Sequence, residues 1–259
     1  MSTKYPIILV HGIIVKNFKS FRAFGKIEKK LIEKGYRVYS SQTDAFGTIE
    51  NNAMQLKEQI EKILLLEKAD RINIIAHSKG GLDSKYMIEF FNMEDKVASL
   101  TTLCTPHRGS IIATKLLKLP KFLLKYIAFW INLWYKILGD KKPNSLEVCK
   151  QLSKKEIETD TLTISNKIYC QSYSSSLKKT KDDFIMGIPL LVSRYYEKDM
   201  ETDGLVSNES SKFGEYQGVC IEDSISHKDI IDITLSKTKR EKVYAFYLNL
   251  CTDLKNKGY

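Results

Sequence analysis

Ser78 lies in the stretch AHSKGG, between an apolar run, Ile72 to Ala76, and a segment of helical spacing that begins at Gly80. A strand, a tight turn carrying a serine and then a helix make a nucleophile elbow, which holds a hydroxyl at the end of a sheet. The turn is tight enough that the residues two before and two after the serine must be small, as Ala76 and Gly80 are. Ala76 stands where glycine is commoner. The same residues also fit an ordinary helix cap, so the nucleophile reading depends on partners elsewhere in the chain.

A serine that attacks a carbonyl needs a base, and histidine is the usual one. The chain has four histidines. His77 adjoins Ser78 on the turn and cannot easily swing round to its hydroxyl. His11 ends the first apolar run, in LVHGI. His107, in CTPHRGS, follows another run and precedes a long apolar stretch. His227, in SISHKD, lies far downstream in a loop after a strand, where the order nucleophile, acid, base puts the base. The acid then falls between Ser78 and His227. Asp203, in ETDGLVS, is preferred, with Asp182, Asp183, Asp199 and Asp223 competing on position. An oxyanion hole needs backbone donors. The N–H of Lys79, after the nucleophile, supplies one. Gly12 lets the loop after the first strand turn sharply, so that the N–H of Ile13 supplies the other, with His11 bracing that loop.

These residues need a scaffold that brings strand ends together. Tyr5–Val10, Tyr36–Ser40, Ile72–Ala76, Val97–Leu103, Ile168–Ser174 and Gly218–Glu222 read as strands. Ser20–Lys34, Ile49–Glu67, Gly80–Phe91 and Ser236–Asp253 read as helices, with Met54, Ile60, Ile63 and Leu64 proposed for the inner side of the second. Alternating strands and helices predict an α/β fold with a mostly parallel sheet covered on both faces. The alternation breaks at 111–158, which is read as a helical insertion in a single domain spanning 1–259. Its first part, Ile111 to Gly139, is apolar and helical, and a polar helix follows from Ser145 to Glu158.

The chain has 259 residues, 43% hydrophobic and 28% charged, enough for one large domain. Its formal charge of +10 favours anionic partners. The lysines are dispersed and no nucleic-acid recognition motif is present, so nucleic acid is not expected as a partner. Five cysteines without CxxC spacing argue against a disulfide framework or a zinc site. No secretory signal precedes the first strand, which gives the expectation of a cytoplasmic protein, or of a secreted one if a signal has been removed. The oligomeric state is not legible.

Taken in order, YPIILVHGI, IIAHSKGGLDSKYM, LTTLCTPHRGS, TDGLVS and SHKD resemble successive signature blocks of the bacterial true lipases, triacylglycerol hydrolases of the α/β-hydrolase fold. The resemblance implies hydrolysis of lipid carboxylic esters, raises Asp203 above its competitors as the acid and supports His227 as the base. It also implies a structural calcium ion near the histidine, with Asp229 as one ligand. A glutamine ligand of that family is replaced by Ile233, beside Asp232, and the upstream ligand falls on Asp182 or Asp183. The chemistry itself requires no cofactor.

Within the insertion, Phe122, Tyr126, Phe129, Trp130 and Trp134 are punctuated by lysines. Charge-free runs are too short to cross a membrane. An amphipathic helix lying in a lipid–water interface fits better. Its place after CTPHRGS resembles that of the family's lid. The alternatives on the same triad are a phospholipase, thioesterase or acyltransferase. An alternative of another kind is a catalytically silent lipid-surface binding protein.

Overall fold

The computed structural model describes residues 2–13, 22–154, 167–198 and 200–259. Its centre is a six-stranded parallel sheet in the order β2-β1-β3-β4-β5-β6. The strands are β1 (Ile7–Val10), β2 (Val38–Ser40), β3 (Ile72–His77), β4 (Val97–Leu103), β5 (Tyr169–Ser174) and β6 (Glu215–Val219). β1, β3 and β4 are buried along their whole length, as a sheet covered on both faces requires. Successive side chains of β1 point to opposite faces. Ile7 and Leu9 join one core with Phe24, Leu103, Val243 and Tyr247, while Ile8 and Val10 join another with Leu56, Ile60, Met87 and Leu100.

The helices that cover these faces are α1 (Ile27–Glu33), α2 (Ile49–Glu67), α3 (Lys79–Phe90) and α8 (Lys237–Asn256). On α2 the buried stripe is Ala53, Leu56, Ile60 and Leu64, and Met54 is exposed. Met54 precedes Ile60 by six residues, about 240° of helical rotation at 3.6 residues per turn, which carries it off the inner face.

Several boundaries differ from the expected ones. Helix α1 starts at Ile27, after a turn, and Ser20 and Phe21 lie outside the described residues. The stretch expected to be helical from Ile111 to Gly139 is two helices, α4 (Ile111–Leu116) and α5 (Lys121–Ile137), parted where Pro120 takes an extended conformation as the N-cap of α5. The last strand is Glu215–Val219 rather than Gly218–Glu222, because the β5 register shifts and Gly218 adopts φ +93°. Helix α6 (Ser145–Gln151) is shorter than the expected Ser145 to Glu158, of which residues 155–158 lie outside the described residues. Helix α7 (Phe184–Tyr196) was not anticipated, since Gly187 and Pro189 within it argue against a helix. Asp183 starts it by accepting from the N–H groups of Ile185 and Met186.

The chain leaves β1 toward β2 on one side and returns to β3 on the other. A crevice therefore opens at the carboxyl ends of β1 and β3, the topological switch point of an open α/β sheet. His11-Gly12 and Ser78 follow those two strand ends.

Candidate active site

Ser78 stands between β3 and α3 with φ +55° and ψ −132°, a conformation rare for a side-chain-bearing residue. Its backbone is held from two sides: its N–H donates to Leu103 O at 3.0 Å, and its carbonyl accepts from Thr105 Oγ1 at 2.8 Å. The need for small neighbours has a visible cause. A Cβ on Gly80 would lie 2.6 Å from His11 O, and one on Gly12 would lie 2.7 Å from Ser78 Cβ and 3.1 Å from Lys79 N. The loop carrying Gly12 and Ile13 thus lies directly against the elbow. His11 acts locally, with its Nδ1 donating to Gly12 O at 2.9 Å.

The structure brings Ser78, His227 and Asp203 into one hydrogen-bonded chain. His227 Nε2 lies 2.9 Å from Ser78 Oγ, and its Nδ1 lies 2.6 Å from Asp203 Oδ2. The second carboxylate oxygen, Oδ1, accepts from the N–H groups of Leu205 and Val206, each at 2.9 Å. The N–H of His227 donates to Asp203 O at 3.0 Å, so the loops bearing acid and base are tied through backbone as well. Asp199 lies outside the described residues, Asp223 pairs with Lys242 at the surface, and Asp182 ends a short 3-10 turn, whereas the carboxylate at His227 Nδ1 is that of Asp203. His107 is half-buried, stacked on Phe213 and bonded to Thr102 Oγ1.

His77 takes part indirectly. Its Nε2 donates to the carbonyl of His227 at 2.9 Å, and the two rings lie 4.6 Å apart. Burial, and then repulsion from His227, push its pKa well below the usual histidine value, so it is neutral. One turn thereby supplies both the serine hydroxyl and a bond that fixes the histidine loop.

Above these groups opens a cleft of about 390 Å³, lined mainly by apolar side chains, with Ser78 and His227 in its wall beside Gly12 and Ile13. Helix α5 turns Leu124, Ile127 and Ile131 into it. The expected lipid-contact residues Phe122, Tyr126, Phe129, Trp130 and Trp134 lie on the outer side of that helix and are exposed. Seventeen residues are enough for α5 to be apolar on two sides, one toward the cleft and one toward solvent.

The family model described as palmitoyl protein thioesterase matches residues 6–183. The chain belongs to that family. Triacylglycerol lipase 2 of Saccharomyces cerevisiae is 33% identical over 253 residues, covering 90% of this chain and 73% of that protein. A triacylglycerol lipase of Vibrio cholerae is 35% identical over 112 residues, 43% of this chain and 35% of its own length. Among solved structures, Staphylococcus hyicus lipase superposes with a TM-score of 0.76 at 15% identity, covering 98% of this chain and 96% of that one. The mature Bacillus licheniformis lipase superposes with a TM-score of 0.69 at 18% identity, covering 96% and 92%. At such identities the two structures establish the α/β-hydrolase fold. Together with the named relatives they bear out the lipase resemblance and place the chain among carboxylic ester hydrolases.

In this hydrolase the side chain of Lys79 is fully buried beneath the elbow. Its ammonium donates to both oxygens of Asp83, at 2.7 and 2.9 Å, one helical turn away. Asn52 Nδ2 donates to Asp83 Oδ2 and to Asp44 O. The Asp44 carboxylate accepts from the N–H groups of Lys141 and Lys142, while Asp140 accepts from those of Ala45 and Phe46. A polar relay thus anchors the segment after α5 to the elbow. The i,i+4 spacing of Lys79 and Asp83 is the signal that could have revealed its first link. Burial pushes the Asp83 carboxyl up to about 6 against the pull of Lys79. Lys79→Met leaves that acid buried without its cation and is expected to cost about 3–5 kcal/mol of stability. Lys79→Met with Asp83→Leu should recover most of the loss, and thermal denaturation of the two variants checks this.

Of the carboxylates suggested for calcium, Asp183, Asp229 and Asp232 already face cations of the chain itself. Asp183 Oδ2 accepts from Ser226 Oγ at 2.7 Å and from Lys228 Nζ at 2.8 Å. Asp229 Oδ2 accepts from Lys239 Nζ at 2.7 Å and from the N–H of Ser226. Asp232 is taken up by Arg240, Tyr244 and the N–H of Lys26. Calcium needs six to eight oxygens free to face it, and here ammonium and guanidinium groups occupy that side of each acid. Among the described residues no cluster of three His, Cys, Asp or Glu side chains is arranged to hold a metal.

Proposed function

We propose that this hydrolase cleaves carboxylic esters of lipids through an acyl-enzyme on Ser78, with α5 as a lid over the acyl site. The observation that carries the reading is the Ser78–His227–Asp203 chain opening into an apolar cleft. His227 Nε2 takes the Ser78 proton as Oγ attacks the ester carbonyl, and its Nδ1–H donates to Asp203. The N–H groups of Lys79, at the start of α3, and of Ile13, against the elbow, would hold the developing oxyanion. The alcohol leaves with the proton from His227 Nε2. A water molecule, activated by the same nitrogen, then releases the fatty acid.

Turnover of a short-chain ester is expected to rise steeply once the ester passes its solubility limit, because the lid shields the cleft in water. Smooth saturation across that limit would count against the lid. The family description favours a second reading, in which the acyl group is carried on sulfur. The triad would serve either leaving group, so kcat/KM for a triacylglycerol emulsion and for an acyl thioester of equal chain length separates the two. The ester reading requires the emulsion to be the better substrate. Because Lys228, Lys239 and Arg240 already neutralise the acids behind the histidine loop, metal-independent action is part of the proposal. A strong chelator is then expected to leave both turnover and melting temperature unchanged; a fall in either, restored by calcium, would refute that.

A further inference from the structure

Helix α7 exposes Phe184, Ile188, Leu191 and Tyr195, spaced i, i+4, i+7 and i+11, so they form a single stripe. The inner side of the same helix sends Met186 into the cleft wall. Helix α5 is built the same way, with an inner face in the cleft and Phe122, Tyr126, Phe129, Trp130 and Trp134 outside. Two apolar stripes therefore flank one mouth. Each of these nine side chains is more than half exposed. At roughly 150–250 Å² for a whole aromatic side chain, they present on the order of 1,000 Å². The largest apolar patch on a typical monomer is only about 300–600 Å².

Charge indicates what covers this surface. Residues 111–142 and 177–198 contain twelve lysines and arginines against four acids, so they hold eight of the chain's ten net positive charges. Three of those four acids are already engaged: Asp140 with backbone N–H groups, Asp183 with Lys228 and Glu197 with Lys154. A neutral oil droplet would need only the stripes. The surplus of lysines around them matches a surface of negatively charged headgroups.

We propose that α5 and α7 together form a docking platform that seats the cleft mouth on a bilayer containing anionic phospholipid. No helix among the described residues is long and apolar enough to cross the membrane, so the contact is peripheral. The orientation of the mouth rests on the lipid-ester reading above, whereas the platform itself does not depend on catalysis.

The chain carries its own probe, since both of its tryptophans, Trp130 and Trp134, lie on the α5 stripe. Full-length protein is mixed with vesicles of phosphatidylcholine, with and without phosphatidylglycerol. Binding is read by sedimentation and by tryptophan emission. We expect about tenfold more protein bound when phosphatidylglycerol is present, with a blue shift in emission, and much of that advantage lost in molar salt. Ile188→Asp with Leu191→Asp should abolish binding while leaving turnover of a water-soluble ester within about twofold, which also shows that the variant is folded. Equal binding of the wild type to both vesicles would overturn the proposal, as would unchanged binding of the folded α7 variant. Vesicle binding by a protein that hydrolyses no soluble ester would instead overturn the catalytic reading and leave the platform standing.

Discussion

Ser78→Ala is expected to lower kcat by about 10⁵–10⁶-fold while the protein keeps its fold. The size follows from the way the site works as a unit. Without the hydroxyl, His227 has no proton to accept, and the elbow retains only its oxyanion donors and binding surface, so removing the serine alone costs nearly what removing the whole triad would. The fold survives because Ser78 is fixed through its backbone, by Leu103 O and Thr105 Oγ1, and these bonds do not involve its side chain. Steady-state turnover of a soluble ester, with a melting curve for the same variant, checks both parts. Residual activity within a hundredfold of wild type would mean that another residue is the nucleophile.

Asp203→Asn is expected to lower kcat by about 10⁴-fold, with little change in melting temperature. The asymmetry of the carboxylate explains why. Oδ1 accepts from the N–H groups of Leu205 and Val206, so an asparagine would place its carbonyl oxygen there and turn its NH₂ toward His227. That amide would donate to Nδ1, at the position where the carboxylate accepts at 2.6 Å. The imidazole would then carry its proton on Nε2 and could not take one from Ser78. The defect lies in the tautomer rather than the position of the ring, which the backbone bond from His227 N to Asp203 O and the bond from His77 still hold. KM should therefore change little while kcat falls. A loss of stability comparable to the loss of rate would show instead that Asp203 acts by holding the loop.

Much of this site could be read from the chain because its parts are local. The elbow announces itself in five residues, since the packing that demands Ala76 and Gly80 is set by adjacent strand and helix. His227 emerged because few histidines compete. Asp203 did not emerge from spacing: several aspartates lie between β5 and His227, and only the folded chain puts one carboxylate at Nδ1. The pairing of acids with Lys228, Lys239 and Arg240 was hidden for the same reason, since residues from α7, the histidine loop and α8 meet there. Helix α7 was missed because Gly187 and Pro189 weaken its local signal, whereas its capping by Asp183 and its packing beside the cleft supply the stabilisation. The buried Lys79 side chain is a further case: only a partner one turn away allows its charge in the core.

The central claim is that Ser78 Oγ is the activated nucleophile. A fluorophosphonate ester reacts with such an oxygen by forming a P–O bond and expelling fluoride, so labelling followed by peptide mapping reads the claim directly. We predict a single labelled peptide containing Ser78, with loss of esterase activity in proportion to labelling and no label on that peptide in His227→Ala over the same time. Label on a different residue, or full inactivation with Ser78 unmodified, would contradict the assignment.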